Sequence, residues 1–412
     1  MTEPSDPDST IVVVGASLAG LRAAEEIRHE GHAGPVLIIG DETHAPYDRP
    51  PLSKQFLAGS WDLARIHHHA PDKLDSLGLE FRLGVRAVSL DTAARTVVCA
   101  DGTVVPYDGL IVATGTRART LPGTEGVAGV HTLRTLDDSL AIRAGLEAAG
   151  PGARVVVIGA GFIGSEVAAT CSGLGARVTV VEALPTPLAG VLGHEMGEAC
   201  AGLHRANGVA VMTGVGVLGV SADPGGPVPL VVHLDDGTDL DADLAVVGIG
   251  VVPVVDWLAD SGLTLDNGVV CGPALFAADG VVAAGDVSRW ARPDGSTQRV
   301  EHWTNAAEGG ALAARNLLAG PGNAVAYDPV PFFWSDQYQT KIQVIGTPGP
   351  DDEVVVVEGS VDEGKLVALY RRGERLQAVL AFSRPRHLMA YRPLLAAGAS
   401  FDEALAVSRA GS

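Results

Sequence analysis

RVVVIGAGFIGSEVAATCSGLGARVTVVE, residues Arg154–Glu182, is the stretch whose reading decides the fold. It opens with Val155–Ile158, a run of apolar, mostly β-branched residues of the kind buried on both faces of a parallel sheet. Gly159-x-Gly161-x-x-Gly164 follows at once, and the spacing of Ile163, Val167, Cys171 and Leu174 predicts a helix. Arg177–Val181 reads as a second strand, tipped by the acid Glu182. Each part of this β-turn-α-β unit has a mechanical task. Gly159 makes the tight turn, Gly161 lets backbone approach a pyrophosphate, and Gly164 lets helix pack close to strand. The helix N-terminus offers free N–H groups and a positive dipole end to the phosphates. Glu182 is placed to accept a hydrogen bond from a ribose 2′-hydroxyl and to repel a 2′-phosphate, which favours NAD over NADP.

The same unit occurs earlier in the chain. Ile11–Val14 leads into Gly15-x-Ser17-x-x-Gly20; Leu18, Leu21, Ala24 and Ile27 continue as a helix; Val36–Ile39 ends at Gly40-Asp41-Glu42. Serine replaces the middle glycine, the next smallest choice. Two dinucleotide sites in one chain imply two cofactors. Leu110–Val112 running into Ala113-Thr114-Gly115, and Leu244–Val247 running into Gly248-Ile249-Gly250, bracket the second unit. The chain is therefore expected to leave its first domain near residue 117 and to return near 248. Between the first unit and this excursion, Pro46, Pro50 and Pro51 stiffen a loop that carries Arg49 and Lys54. Val281–Asp286 reads as another buried strand tipped by an acid, and Glu301-His302-Trp303 precedes an Ala-rich helix reaching Leu318. From about Tyr327 the chain turns aromatic and alternating. Val354–Val357 and Leu366–Leu369 read as antiparallel strands, and Pro393–Ala406 as a helix.

Composition bounds the function. At 412 residues, with 47% hydrophobic and 19% charged residues, the chain is globular and long enough for two or three domains. No apolar run reaches the roughly 18 residues of a membrane helix, and the polar start MTEPSDPDST reads as a flexible tail and not a signal peptide. A net charge of −20 argues against nucleic-acid or anionic-membrane partners. Cys99, Cys171, Cys200 and Cys271 lie far apart, which excludes a local redox dithiol or zinc ribbon and suits a reducing cytoplasm. His67-His68-His69 reads as an exposed segment, Asp235, Asp236, Asp241 and Asp243 as turn and edge acids, and Cys171 as a core residue; no metal site is expected.

With these residues in view, the chain resembles the FAD- and NADH-dependent ferredoxin reductases that serve haem monooxygenases and aromatic-ring dioxygenases. The resemblance covers nearly the full length. Its most specific marks are Arg49-Pro50-Pro51-Leu52-Ser53-Lys54 and Phe333-Trp334-Ser335-Asp336-Gln337, beside Ala113-Thr114-Gly115, Gly161-Phe162-Ile163-Gly164-Ser165-Glu166, Ala284-Gly285-Asp286 and Glu301-His302-Trp303. It implies an α/β fold with two Rossmann-like dinucleotide-binding domains, as in glutathione-reductase-like flavoproteins, and a C-terminal α+β domain. The expected boundaries are 1–117 and 248–326 for FAD, 118–247 for NAD and 327–412 for the C-terminal interface domain.

The resemblance also implies roles. Gly15, Ser17, Leu18, Ala19, Gly20, Asp41 or Glu42, Arg49, Lys54, Ala113, Thr114, Gly115, Asp286, Glu301, His302 and Trp303 would hold FAD. Gly159, Gly161, Phe162, Ile163, Gly164, Glu166, Glu182 and Gly250 would hold NAD. Lys54 would lie near the flavin N5 and pair with Glu166, these two forming the reactive site; Trp334 would lie near the flavin. NADH would pass a hydride to FAD, which returns single electrons to an iron–sulfur ferredoxin, 2Fe–2S by expectation with the cluster type left open by the sequence. The ferredoxin would feed a haem monooxygenase or dioxygenase. An NADH oxidase, a quinone or dye reductase, and a flavin-binding signalling protein are the alternatives. A disulfide reductase or cysteine peroxidase needs a cysteine near Lys54, and none is there. Relatives usually carry a basic residue where this chain has Pro187-Leu188-Ala189-Gly190, so one candidate clamp on the NAD pyrophosphate is missing. Docking an acidic ferredoxin calls for a basic patch. Residues 331–412 hold nine Lys/Arg against ten Asp/Glu, which makes Arg371, Arg372, Arg375, Arg384 and Arg386 candidates, with Arg289, Arg292 and Arg299.

Overall fold

A computed structural model describes residues 8–223 and 229–410; the first seven residues of the polar N-terminal stretch lie outside them. Two compact units divide the chain. The first comprises Met1–Asp48, Ala64–Arg117 and Val252–Pro331, the second Arg49–Leu63, Ala118–Val251 and Phe332–Ser412. The strands of the C-terminal domain thus group with the segment that carries the second glycine fingerprint.

The first unit is built on a six-stranded sheet. Its order is Phe276–Ala278, Val281–Ala283, Gly109–Val112, Ile11–Val14, Val36–Ile39 and Glu80–Arg82, parallel except for the first. All four residues of Ile11–Val14 are buried, as a strand covered on both faces requires. Leu18, Leu21, Ala24 and Ile27 line the buried face of the helix Leu18–His29, matching the sequence spacing. That helix meets the Ala-rich helix Trp303–Ala319 at very short range: a Cβ on Gly310 would fall 2.4 Å from the carbonyl oxygen of Ala19.

The second unit contains a five-stranded, wholly parallel sheet. Its order is Ala210–Thr213, Arg177–Glu182, Arg154–Ile158, Leu244–Val247 and Val130–Thr132. The helix Phe162–Gly173 follows the fingerprint, but its stripe is not the one the spacing suggested. Ile163 and Leu174 are exposed, whereas Gly164 to Ala169 and Cys171 are buried. This helix is covered on more than one side, so an amphipathic period is the wrong template for it. One cover is the antiparallel sheet Phe332–Gln337, Thr340–Gly346, Arg375–Phe382, Lys365–Arg372, Glu353–Ser360. Phe162 meets Phe333 edge-on at 4.8 Å between ring centroids. Leu188, Leu192, Met196 and Cys200 share a core with Ile342, Val344, Tyr370 and Leu380 of that sheet. The single C-terminal helix expected over Pro393–Ala406 is instead Arg392–Ala396 and Phe401–Ala410, because Gly398 adopts φ +62° and turns the chain between them. Among the described residues no helix is long and apolar enough to cross a membrane.

Candidate functional site

In the first unit the glycine turn is fixed by sterics. Gly15 has φ +123°, and a Cβ there would lie 2.1 Å from the carbonyl oxygen of Ala113; one on Gly20 would lie 1.9 Å from that of Gly15. Ala113 in turn donates its N–H to Val14, so the Ala113-Thr114-Gly115 turn is pressed against the fingerprint. Thr114 donates its hydroxyl to Val254, and Gly115 takes φ +64°. Ser17 is the N-cap of the helix, with Leu18, Ala19 and Gly20 its first residues; Ser17 makes no side-chain capping bond, and the first turn has no acid. At the end of the second strand Asp41 is exposed, and Glu42 accepts from the Tyr47 hydroxyl at 2.5 Å.

Asp286 accepts from the Thr116 hydroxyl at 3.1 Å, while Glu301 is exposed and ion-paired with Arg299. His302 stands at the N-cap position of the helix that starts at Trp303 and makes no side-chain capping bond; burial pushes its imidazole down to about 4 despite the nearby Asp286, so it is neutral at pH 7. The Trp303 indole donates to the Asp48 carboxylate at 2.7 Å. The histidine run is half-buried where an exposed segment was expected. His69 pairs with Glu25, and burial lowers the His68 pKa.

In the second unit the three fingerprint glycines differ in kind. A Cβ on Gly159 (φ +97°) would lie 2.5 Å from the Gly248 carbonyl oxygen, and one on Gly164 would lie 2.1 Å from that of Gly159. Gly161 is otherwise: a Cβ there would meet nothing in the chain nearer than 3.9 Å. Protein packing therefore demands glycine at two positions and leaves open space at the third. That open space, at the N-cap of a helix with no side-chain cap and no acid in its first turn, fits a pyrophosphate. By contrast, the helix Leu136–Ala149 is closed by a full capping box from Thr135 and Asp138. Glu182 accepts from the backbone N–H of Ala160 at 2.7 Å and of Leu184 at 2.9 Å, which fixes its carboxylate beside the glycine loop. Exposed Ile163 and Gly250 (φ +95°) border the same turn from the helix and from the Gly248–Gly250 loop.

Arg49 and Lys54 fall within this second unit. Arg49 donates to the carbonyl of Arg134 at 2.6 Å. Lys54 donates to Glu166 at 2.7 Å, and both side chains are largely buried, at 11% and 4% exposure. The sequence did not reveal how completely Glu166 is held. Oε2 also accepts from the Ser53 hydroxyl at 2.5 Å, and Oε1 accepts from the Ser335 hydroxyl at 2.8 Å and the Asp336 N–H at 3.3 Å. Four donors fill the four lone-pair sites of one carboxylate. The short 3₁₀ turn Pro50–Ser53 is itself pinned, its Leu52 carbonyl by Ser139 and its Ser53 carbonyl by Thr170. Ser53 and Ser335 sit in the two most specific strings of the sequence, which was the available signal.

Among the described residues no reactive thiol accompanies this pair. All four cysteines are free and buried, and burial pushes the thiols of Cys171, Cys200 and Cys271 up to about 12. Most arginines considered for docking are neutralised where they stand. Arg371 pairs with Glu353, Arg372 with Asp352, Arg384 with Glu358, Arg289 with Asp266, Arg292 with Asp328 and Arg299 with Glu301.

Comparison with known proteins accords with this geometry. The family model described as pyridine nucleotide-disulphide oxidoreductase matches residues 9–310, and the reductase C-terminal model matches residues 332–410. Rhodocoxin reductase of Rhodococcus erythropolis is 36% identical, over 97% of this chain and 95% of that protein. The ferredoxin--NAD(+) reductase component of the anthranilate 1,2-dioxygenase system of Burkholderia cepacia is 37% identical, over 95% of each chain. Among solved structures, the covalent putidaredoxin reductase–putidaredoxin complex superposes with a TM-score of 0.89 at 31% identity, covering 95% of this chain and 94% of that one. Two glycine turns, each opening a helix without a side-chain cap, and a C-terminal sheet laid on the second of those helices are thus features of a known kind: the chain belongs to the pyridine nucleotide-disulphide oxidoreductase family, with the reductase C-terminal domain, and is an FAD- and NAD-dependent oxidoreductase.

Proposed function

We propose that this protein takes electrons from NADH and passes them singly to a small iron–sulfur ferredoxin, 2Fe–2S by expectation, which supplies a haem monooxygenase or a ring-hydroxylating dioxygenase. One observation carries the reading: where a disulfide reductase needs a cysteine, this chain has Ser53-Lys54 tied to a buried Glu166, and its thiols are all buried. Bound FAD would accept an electron pair from NADH and release it one electron at a time, which neither a nicotinamide nor a cluster can do alone. Residues 1–117 and 248–326 would hold the FAD, 118–247 the NAD, and 327–412 would complete the acceptor side.

The chain's own work is binding, orienting and exclusion. The uncapped helix starting at Leu18 would receive the FAD pyrophosphate, and Glu42 or Asp41 the adenosine ribose. Arg49, Asp286, Glu301, His302 and Trp303 would line the remainder of FAD, where the uncapped N-terminus at Trp303 favours added negative charge. On the NAD side, Gly161 would admit the pyrophosphate and Glu182 would accept the ribose hydroxyl. Lys54 and Glu166 would border the nicotinamide, the carboxylate offsetting the charge of a largely buried ammonium. Four free cysteines suit a reducing cytoplasm, which we take as its compartment.

Anaerobic stopped-flow mixing with NADH, and separately NADPH, followed by addition of a 2Fe–2S ferredoxin, tests this reading. Expected are fast bleaching of flavin absorbance by NADH, much slower bleaching by NADPH, and reoxidation in one-electron steps by the ferredoxin. Bleaching with reoxidation by dioxygen or a quinone, and none by ferredoxins, would overturn the assignment.

A further inference from the structure

The helix Phe162–Gly173 and the strand Phe332–Gln337 run side by side with nearly equal repeats. Four helical residues rise about 6.0 Å and two strand residues about 6.6 Å. Phe162 and Glu166 on the helix therefore meet Phe333 and Ser335 on the strand as successive rungs, the first an aromatic contact and the second a hydrogen bond of 2.8 Å. The strand's inward residues Ser335 and Gln337 are fully buried. Ser335 has one hydroxyl proton, and its direction is fixed from both sides: the hydroxyl donates to Glu166 Oε1 and accepts from Gln337 Nε2 at 3.3 Å. Ser53, also buried, does the matching task on Oε2 beside Lys54. A carboxylate has two rotatable oxygens, and here each is claimed by a different serine from a different part of the chain.

We propose that Ser335 is a positioning residue for Lys54. By occupying Glu166 Oε1, together with the Asp336 N–H, it commits Oε2 to the ammonium, so that a strand of the C-terminal domain sets the Lys54–Glu166 pair. Removing the Ser335 hydroxyl leaves Oε1 under-filled at a site with no exposure to solvent. The carboxylate then rotates toward its remaining donors, and Lys54 loses its fixed partner. The bearing of this on catalysis rests on the reading that Lys54 borders the nicotinamide; the positioning itself does not.

The chain has only four lysines, Lys54, Lys73, Lys341 and Lys365, so the ammonium can be followed directly. The flavin-loaded protein is pulsed with an amine-acylating reagent and each lysine peptide is quantified by mass spectrometry. In the natural protein Lys54 labels slowest. In Ser335→Ala its labelling relative to Lys73 and Lys365 rises on the order of tenfold, the effect of losing one hydrogen bond to a charged group. Ser335→Thr, which keeps the hydroxyl, stays near the natural rate. Ser53→Ala, acting on the other oxygen, is the second arm should Ser335→Ala not fold. Unchanged Lys54 labelling in Ser335→Ala, or in Ser53→Ala where the first variant does not fold, overturns the proposal. Raised labelling with an unchanged rate and pH profile of flavin bleaching by NADH keeps Ser335 as the positioning residue and removes Lys54 from the reaction.

Discussion

Three glycines of one motif give a sharp test, because sterics assign them different duties. Alanine at Gly164 places a methyl 2.1 Å from a backbone carbonyl oxygen, more than 1 Å inside contact distance and against an atom that cannot swing away. Overpacking of that sort costs about 3 kcal/mol or more. Alanine at Gly159 adds a left-handed backbone, worth about 1–3 kcal/mol, to a 2.5 Å clash with Gly248. Alanine at Gly161 does neither: φ is −70°, and the nearest atom is 3.9 Å off. Its effect on stability is expected within about 1 kcal/mol, a weaker N-cap offsetting reduced unfolded-state entropy. Its effect on nucleotide is expected to be large, since losing one backbone hydrogen bond to a charged phosphate costs about 1.5–3 kcal/mol, or roughly 10- to 150-fold in Kd. Thermal unfolding without nucleotide, and calorimetric titration with NAD, measure the two effects separately. A Gly161→Ala protein that melts as early as Gly164→Ala, or binds NAD with unchanged Kd, would refute the division of labour.

Other outcomes follow from the same structure. Glu182→Gln removes the charge and keeps one of the two oxygens that accept from the Ala160 and Leu184 N–H groups, so it should bind NADPH about tenfold more tightly than the natural protein with a smaller change for NADH, as Kd measurements would reveal. His204 is buried with Nδ1 against the Tyr338 hydroxyl, and burial lowers its pKa to about 4 from an unfolded value near 6.5. Its contribution is therefore complete above pH 6.5 and lost as pH falls toward 4, on the order of 3 kcal/mol. Melting curves from pH 7 to 4.5 should show an acid limb that His204→Gln flattens. Reversing Arg371 and Arg372 to glutamate should lower the melting temperature, since the Asp352 side chain is only 2% exposed and would face a like charge.

What was legible in the sequence, and what was not, follows from the range of each interaction. The fingerprint units could be read because strand, turn and helix are contiguous, and the last glycine of each answers to the carbonyl of the first, Gly20 to Gly15 and Gly164 to Gly159. The Lys54–Glu166 pairing came from family strings; no local pattern contains it. Its completion by Ser53 and Ser335 spans 113 and 169 residues, and a serine advertises nothing about so distant a partner. The helix stripe failed at Ile163 and Leu174 because a helix covered on several sides has no single polar face. The candidate docking arginines show a related limit: a count of charges along the chain does not register the carboxylates that fold back onto Arg371, Arg372 and Arg384.

Glu166 also sets a schedule for the newborn chain. Its last donor, Asp336, is made 170 residues after it, about ten to thirty seconds later at ordinary rates of synthesis. Until then a carboxylate destined for burial lacks its full complement, and the helix that carries it lacks the sheet that covers it. A chain stopped before residue 332 would contain both nucleotide motifs and still be unfinished at this point. Ribosome-bound intermediates of that length should therefore leave residues 162–173 open to protease and to chaperones, and release of the C-terminal strands should close them in one step.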